Sequence, residues 1–213
     1  MLSALLGLIA PPRCALCELG CDSRERLCGR CAATLAGAGP RLSFVPGLDA
    51  AWSAASYEGV ARQLVVRLKF GGRLPLAGCA ARLIAERAPA ELLVGVIVPV
   101  PPAPIRRRWR GFDPAEAIAT ALASQAGLPI DRCLSRSQGS RQVGRPRADR
   151  LANPPRVSLV GQSPEHALLV DDVVTTGATL GACARALRAG GSGRVVAVTF
   201  ARSEALGAGA QAA

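Results

Sequence analysis

The chain has 213 residues, half of them hydrophobic but only 3% aromatic, and a formal net charge of +11. That length suits one domain with a full core plus a small appendage, and the composition makes Ala, Leu and Val the core builders. No stretch is long and apolar enough to span a membrane, and the charge favours phosphates, nucleotides or nucleic acid as partners. Of the 26 basic residues only Lys69 is a lysine. Residues 1–10 (MLSALLGLIA) carry no early positive charge and run into Pro11 and Pro12. They read as a short helix packed on the domain rather than a signal peptide, and the chain is expected in the cytoplasm.

Five of the eight cysteines follow at once: Cys14, Cys17, Cys21, Cys28 and Cys31. Two C-x2-C knuckles ten residues apart aim four thiolates at one point, which suits tetrahedral zinc, with Cys21 left over. Cys14, Cys17, Cys28 and Cys31 are the expected ligands. A closed four-thiolate site is structural, and contributes roughly 10–16 kcal/mol of apparent folding free energy to a segment too small for its own core. Cys79, Cys133 and Cys183 lie in apolar or helical surroundings and read as small buried hydrophobes. Residues 1–45 form the expected zinc-ribbon-like module.

Residues 37–47 are rich in Gly and Pro and read as a linker, followed by a strand at 50–57. The spacing of Val60, Leu64, Val65 and Leu68 predicts a helix over 58–70, ended by Gly71 and Gly72. A second helix is predicted at 76–88, with Ala77, Ala80, Ala81, Ile84 and Ala88 on one face. Residues 94–100 (VGVIVPV) read as a buried strand that empties into PPAPIRRRWRGFD. This is the most basic stretch of the chain, and its three prolines make it stiff and non-helical. In a parallel sheet, Arg106, Arg107, Arg108 and Arg110 would face the crevice at the strand ends, where ligands bind. Asp113 and Pro114 predict the start of a helix reaching about residue 125. A short strand is expected near 130–133. Residues 135–150, polar and Arg-rich without periodicity, read as a loop able to close over a ligand.

The most informative stretch is 166–180, HALLVDDVVTTGATL. Residues 167–170 form a short apolar run suited to a buried parallel strand, with Asp171 and Asp172 where that strand would end. Thr175, Thr176, Gly177, Ala178 and Thr179 then lead into a helical pattern. Small residues at a helix N-terminus turn backbone N–H groups toward one spot, where a phosphate binds. The carboxylates beside it suit hydroxyls or a magnesium ion. Together they suggest a phosphorylated sugar. Residues 194–200 make the last expected strand, before an Ala/Gly tail at 204–213 expected to be disordered.

VDDVVTTGAT resembles the phosphoribosyl-pyrophosphate (PRPP) motif of type I phosphoribosyltransferases. The resemblance implies that Asp171 and Asp172, the catalytic candidates, contact the ribose hydroxyls, and that residues 175–179 cradle the 5′-phosphate of PRPP or another phosphoribosyl ligand. It also gives Arg106, Arg107, Arg108 and Arg110 the pyrophosphate, with Mg²⁺ accompanying PRPP. Four features extend the likeness: the cysteine knuckles, YEGVARQLVVRLKFGG, VPVPPAPIRRRWRGFD, and RQVGRPRADRLANP ahead of LLVDDVVTTGATL. In this order they resemble the ComF family, tied to bacterial competence. The family implies an α/β fold, a type I phosphoribosyltransferase-like parallel sheet flanked by helices over 46–203, with the four-cysteine module in front. This chain has Asp113–Pro114 where the family commonly has Asn-Gln, and Arg145–Pro146 where it commonly has Leu-Ser. Three roles stay open: a pyrophosphate-releasing transferase, a non-catalytic single-stranded DNA or nucleotide binder serving DNA uptake, and a PRPP sensor joined to competence-machinery proteins.

Overall fold

The computed structural model describes residues 13–21, 26–37, 41–103, 111–137 and 155–203. In chain order the elements are helix α1 (Gly29–Ala36), strands β1 (Arg41–Ser43) and β2 (Ala50–Ser56), then helices α2 (Gly59–Gly71) and α3 (Pro75–Arg87). Strand β3 (Val96–Pro99), helix α4 (Pro114–Ala126) and strands β4 (Leu134–Arg136), β5 (Val157–Leu159) and β6 (His166–Val174) follow, with helix α5 (Ala178–Ala189) and strand β7 (Arg194–Arg202) closing the chain. Five strands form one sheet in the order β1-β2-β7-β6-β3, and β4 with β5 makes a separate ladder. Within the sheet β2, β7, β6 and β3 are parallel and β1 is an antiparallel edge. Parallel neighbours need crossover connections, here made by helices. The expected α/β class, a parallel sheet flanked by helices with a four-cysteine cluster in front, is the class observed.

Side-chain alternation divides the core between the two faces of the sheet. Ala167, Leu169, Val195 and Ala197 pack with Leu180, Cys183, Ala184 and Leu187 of α5. Leu168, Val170, Val196, Val198 and Phe200 pack with α2, α3 and α4 through residues such as Leu64, Leu68, Ile84, Ile118 and Leu122. Each such Leu or Val, fully buried, contributes roughly 1.5–3 kcal/mol relative to exposure. Cys14, Leu16, Leu27, Cys31 and Leu35 join this second cluster, so the cysteine module is continuous with the main core. Helix α4 begins as expected: the Asp113 carboxylate accepts from the N–H of Ala115 at 3.2 Å, with Pro114 in the first turn. On α2, Ala61 is buried where Val60, expected inward, is only half-buried.

Three sequence expectations change. The stretch read as a linker contains β1, which pairs Leu42 with Trp52; a three-residue edge strand is too short to leave a periodic pattern. The strand expected at 130–133 is reduced to a single parallel bridge between Ile130 and Ile97. The strand forms instead at Leu134–Arg136, where Val157–Leu159 pairs with it antiparallel. The first two residues of the expected aperiodic loop, Ser135 and Arg136, thus lie in β4. The expected N-terminal helix, most of the expected closing loop and the expected tail lie outside the described residues. Among the described residues no helix is long and apolar enough to cross a membrane.

Candidate functional site

Strand β6 does not stop before the two acids, as expected, but continues through them to Val174. On one side it stays paired with β7 as far as Val174 opposite Arg202. On the other, its pairing with β3 ends at Pro99 opposite Val170. The N–H of Val100 still reaches the carbonyl of Val170 at 3.0 Å. Asp171 and Asp172 therefore stand where β6 has lost one neighbour, toward the carboxyl end of the parallel strands where open α/β sheets bind ligands.

The two carboxylates have different partners. Asp171 is partly exposed and lines a pocket together with residues 173–180, while one of its own oxygens accepts the N–H of Asp172 at 2.8 Å. Asp172 is 6% exposed, and its Oδ1 accepts from Lys69 Nζ of α2 at 2.8 Å. Burial, then repulsion from Asp172 and Asp113, pushes the Asp171 carboxyl up to about 8, with Lys69 offsetting only part of the effect. The pair thus combines a carboxylate with a fixed counter-ion and a carboxyl that holds its proton near neutrality. That is a set of acceptors and a donor suited to hydroxyl groups.

The turn from β6 into α5 supplies the rest of the pocket. Thr175, Thr176, Ala178 and Thr179 are partly exposed, Gly177 is buried, and the N–H of Ala178 donates to Thr176 Oγ1 at 3.3 Å. Gly177 has φ +73°, and a β-carbon there would fall 2.9 Å from Val45 Cγ2. Only glycine satisfies both the left-handed backbone and the contact with Val45. The opening turn of α5 brings hydroxyls and a helix N-terminus into one concavity, an arrangement that suits an anion. All five loop residues singled out in the sequence line this pocket with Asp171, while Asp172, the next residue of β6, turns to Lys69 and is not part of the lining.

Arg106, Arg107, Arg108 and Arg110 lie outside the described residues. Their flanks do not: β3 ends beside Val170, and Asp113 is close enough to Asp171 to raise its pKa.

The four expected zinc ligands are brought together. The sulfurs of Cys14, Cys17, Cys28 and Cys31 all lie within 4.8 Å of one another, and those of Cys17 and Cys28 are 3.5 Å apart. A tetrahedral zinc with bonds near 2.3 Å separates its sulfurs by about 3.8 Å, so the set fits zinc. The N–H of Leu16 points at Cys14 Sγ at 3.5 Å. Burial works against ionisation of Cys14, but backbone N–H groups of Cys17, Cys28 and Leu16 outweigh it and pull the thiol down to about 6. Burial, then the neighbouring thiols of Cys28, Cys17 and Cys14, push Cys31 up to about 12. Cys133 and Cys183 are buried as expected, and Cys79 is partly exposed.

Sequence reasoning missed Lys69 and Val45. Lys69 belongs to the stretch YEGVARQLVVRLKFGG and is the only lysine, which was the available signal. Nothing local in VPG marked Val45 as the wall behind Gly177.

The chain matches no protein-family model. The DNA utilization protein YhgH of Salmonella typhimurium is 31% identical over 198 residues, covering 85% of this chain and 86% of that one. The protein of the same name from Salmonella typhi is 31% identical over 194 residues, covering 85% and 80%. The chain belongs to the family of these proteins. That membership supports the ComF-type resemblance carried by its motifs. Among solved structures, the allosteric regulatory enzyme of purine biosynthesis is 19% identical with a TM-score of 0.38. The match covers 58% of this chain and 24% of that one.

Proposed function

We propose that this chain binds PRPP, or another phosphoribosyl ligand, with Mg²⁺ at the pocket formed by Asp171 and residues 175–179. The observation that carries the reading is that a carboxyl suited to sugar hydroxyls and a turn suited to a phosphate share one pocket. In this reading the loop holds the 5′-phosphate and Asp171 and Asp172 take the ribose hydroxyls. Arg106, Arg107, Arg108 and Arg110 meet the pyrophosphate. Magnesium favours one or two carboxylates plus substrate phosphates, a donor set that the acid pair and ligand together provide, and there it would neutralise phosphate charge. If the ligand turns over, the chain's task is to hold the sugar while pyrophosphate leaves and an acceptor approaches the opposite face.

We further propose that the ligand site serves DNA use or uptake, as the relatives' name supports. The net charge of +11 favours a second component to this reading, in which the basic surface binds single-stranded DNA. Binding that weakens steeply with salt would support it. Competence-machinery proteins are further partners in this reading. We place the protein in the cytoplasm, where four thiolates stay reduced and available to structural zinc.

The test is calorimetric titration of PRPP with Mg²⁺ into the zinc-loaded chain and into Asp171→Asn/Asp172→Asn. Binding by the wild type that the double change abolishes is the expected result. No binding by the folded wild type would remove both the transferase and the sensor roles and leave nucleic-acid binding on a borrowed fold.

A further inference from the structure

Lys69 is a cation in direct contact with the acid pair, and it comes from a distant part of the chain. It sits in the last turn of α2, where the helix dipole favours a positive charge. From there its ammonium reaches Asp172 Oδ1 at 2.8 Å, with the two side chains only 19% and 9% exposed. Two flanking arginines, Arg67 in α2 and Arg73 just beyond it, hold Glu18 of the cysteine module at 2.9 and 3.1 Å. Those outer pairs are exposed and weak. The inner pair is different in kind, because taking both charges out of water cancels much of their attraction, and apolar replacements of such pairs are often no less stable. Fold stability is therefore a poor account of why an ammonium stands there. Its hold on Asp172, whose N–H is bonded to the pocket residue Asp171, is a better one. Without it, the buried Asp172 would have no ammonium to fix the orientation of its Oδ1.

We propose that Lys69 is a positioning residue of the ligand site: it fixes Asp172 as an acceptor for a ribose hydroxyl and so makes the site favour ribosyl over 2-deoxyribosyl phosphates. This rests on the phosphoribosyl reading above. Lysine suits the task because its three donors on a flexible stem can hold the carboxylate while leaving its second oxygen to the sugar.

The test titrates ribose 5-phosphate and 2-deoxyribose 5-phosphate into the full, zinc-loaded chain as wild type, Lys69→Met and Lys69→Arg. A hydroxyl bonded to a charged group is worth about tenfold or more in affinity, so the wild type is expected to prefer the ribosyl compound by about that factor. Lys69→Met should bring the ratio near one while leaving the deoxy compound's affinity within about twofold, since the phosphate loop is untouched. Lys69→Arg should keep part of the preference. A wild-type ratio retained in Lys69→Met overturns the proposal and leaves the phosphoribosyl reading standing. A wild type that binds neither sugar phosphate overturns both.

A second measurement needs no variant. Lysine labelled with ¹⁵N at the side chain gives one ammonium resonance from this chain, because Lys69 is its only lysine. That resonance should move on addition of ribose 5-phosphate and stay still with inorganic phosphate. No movement with the sugar phosphate overturns the proposal.

Discussion

The cysteine module and the acid-pair pocket are both assembled from a few side chains, but from different distances along the chain. The four clustered cysteines fall within eighteen consecutive residues, 14–31, and their geometry follows from two C-x2-C knuckles. The pocket draws on β6 and the turn into α5, backed by Val45 against Gly177, while Lys69 at the end of α2 holds the adjacent Asp172. The first has the sulfur spacing that a tetrahedral metal would demand. The second is closed by the fold, so its accuracy depends on how the sheet places α2 against β6. The contrast separates what one cation can organise from what a whole core must organise.

The largest effect should come from breaking the first region. Removing the metal with a strong chelator, or changing Cys28→Ala/Cys31→Ala, forfeits on the order of 10 kcal/mol of metal-binding free energy. The expected outcome is loss of bound zinc together with loss of hydrogen-exchange protection across residues 13–37, while the sheet stays protected. If protection in β6 and β7 collapsed equally, the module would be as much a part of the core as the α2 helix.

A smaller effect is expected at Gly177. Gly177→Ala forces a side chain into a left-handed conformation, at about 1–2 kcal/mol, and against Val45 as well. Phosphate-ligand affinity and melting temperature should both fall. Adding Val45→Ala should restore the packing component but not the backbone component, and a double-mutant cycle would separate the two. A purely additive cycle would show that Val45 does not press on the turn.

The pH dependence should be gentler still per unit. The raised Asp171 carboxyl means the folded chain keeps a proton that the unfolded chain gives up near pH 4. Stability from this group is therefore full below the ordinary carboxylate range and is lost as pH rises toward about 8, at up to about 1.4 kcal/mol per pH unit. Asp171→Asn should flatten the decline in denaturant midpoints measured from pH 5 to pH 8. A wild type whose stability rises across that window would contradict it.

How much of this could be read from the sequence follows the same division. The knuckles, the helices α2 to α4, the strands β2, β6 and β7 and the phosphate-type turn were legible because each leaves a local signature: metal spacing, a 3.6-residue period, a cap, an apolar run or a cluster of small residues. The extent of β6 through Asp171 and Asp172 was not legible. Acidic residues end most apolar runs, and only pairing with β7 on one flank keeps these two in a strand. Strands β1, β4 and β5 were missed or misplaced because three residues carry no period and their existence depends on a partner elsewhere. The ion pair of Lys69 with Asp172 joins positions 103 residues apart, and sequence spacing holds no record of it.

The most direct measurement is a residue-by-residue chemical-shift map of the ¹⁵N-labelled, zinc-loaded chain titrated with PRPP and Mg²⁺. The account expects the largest changes at residues 171–180 and at the Lys69 side chain, with the cysteine module barely affected. Changes absent from the β6–α5 turn, or confined to the basic surface, would contradict the assignment of that turn as the ligand site.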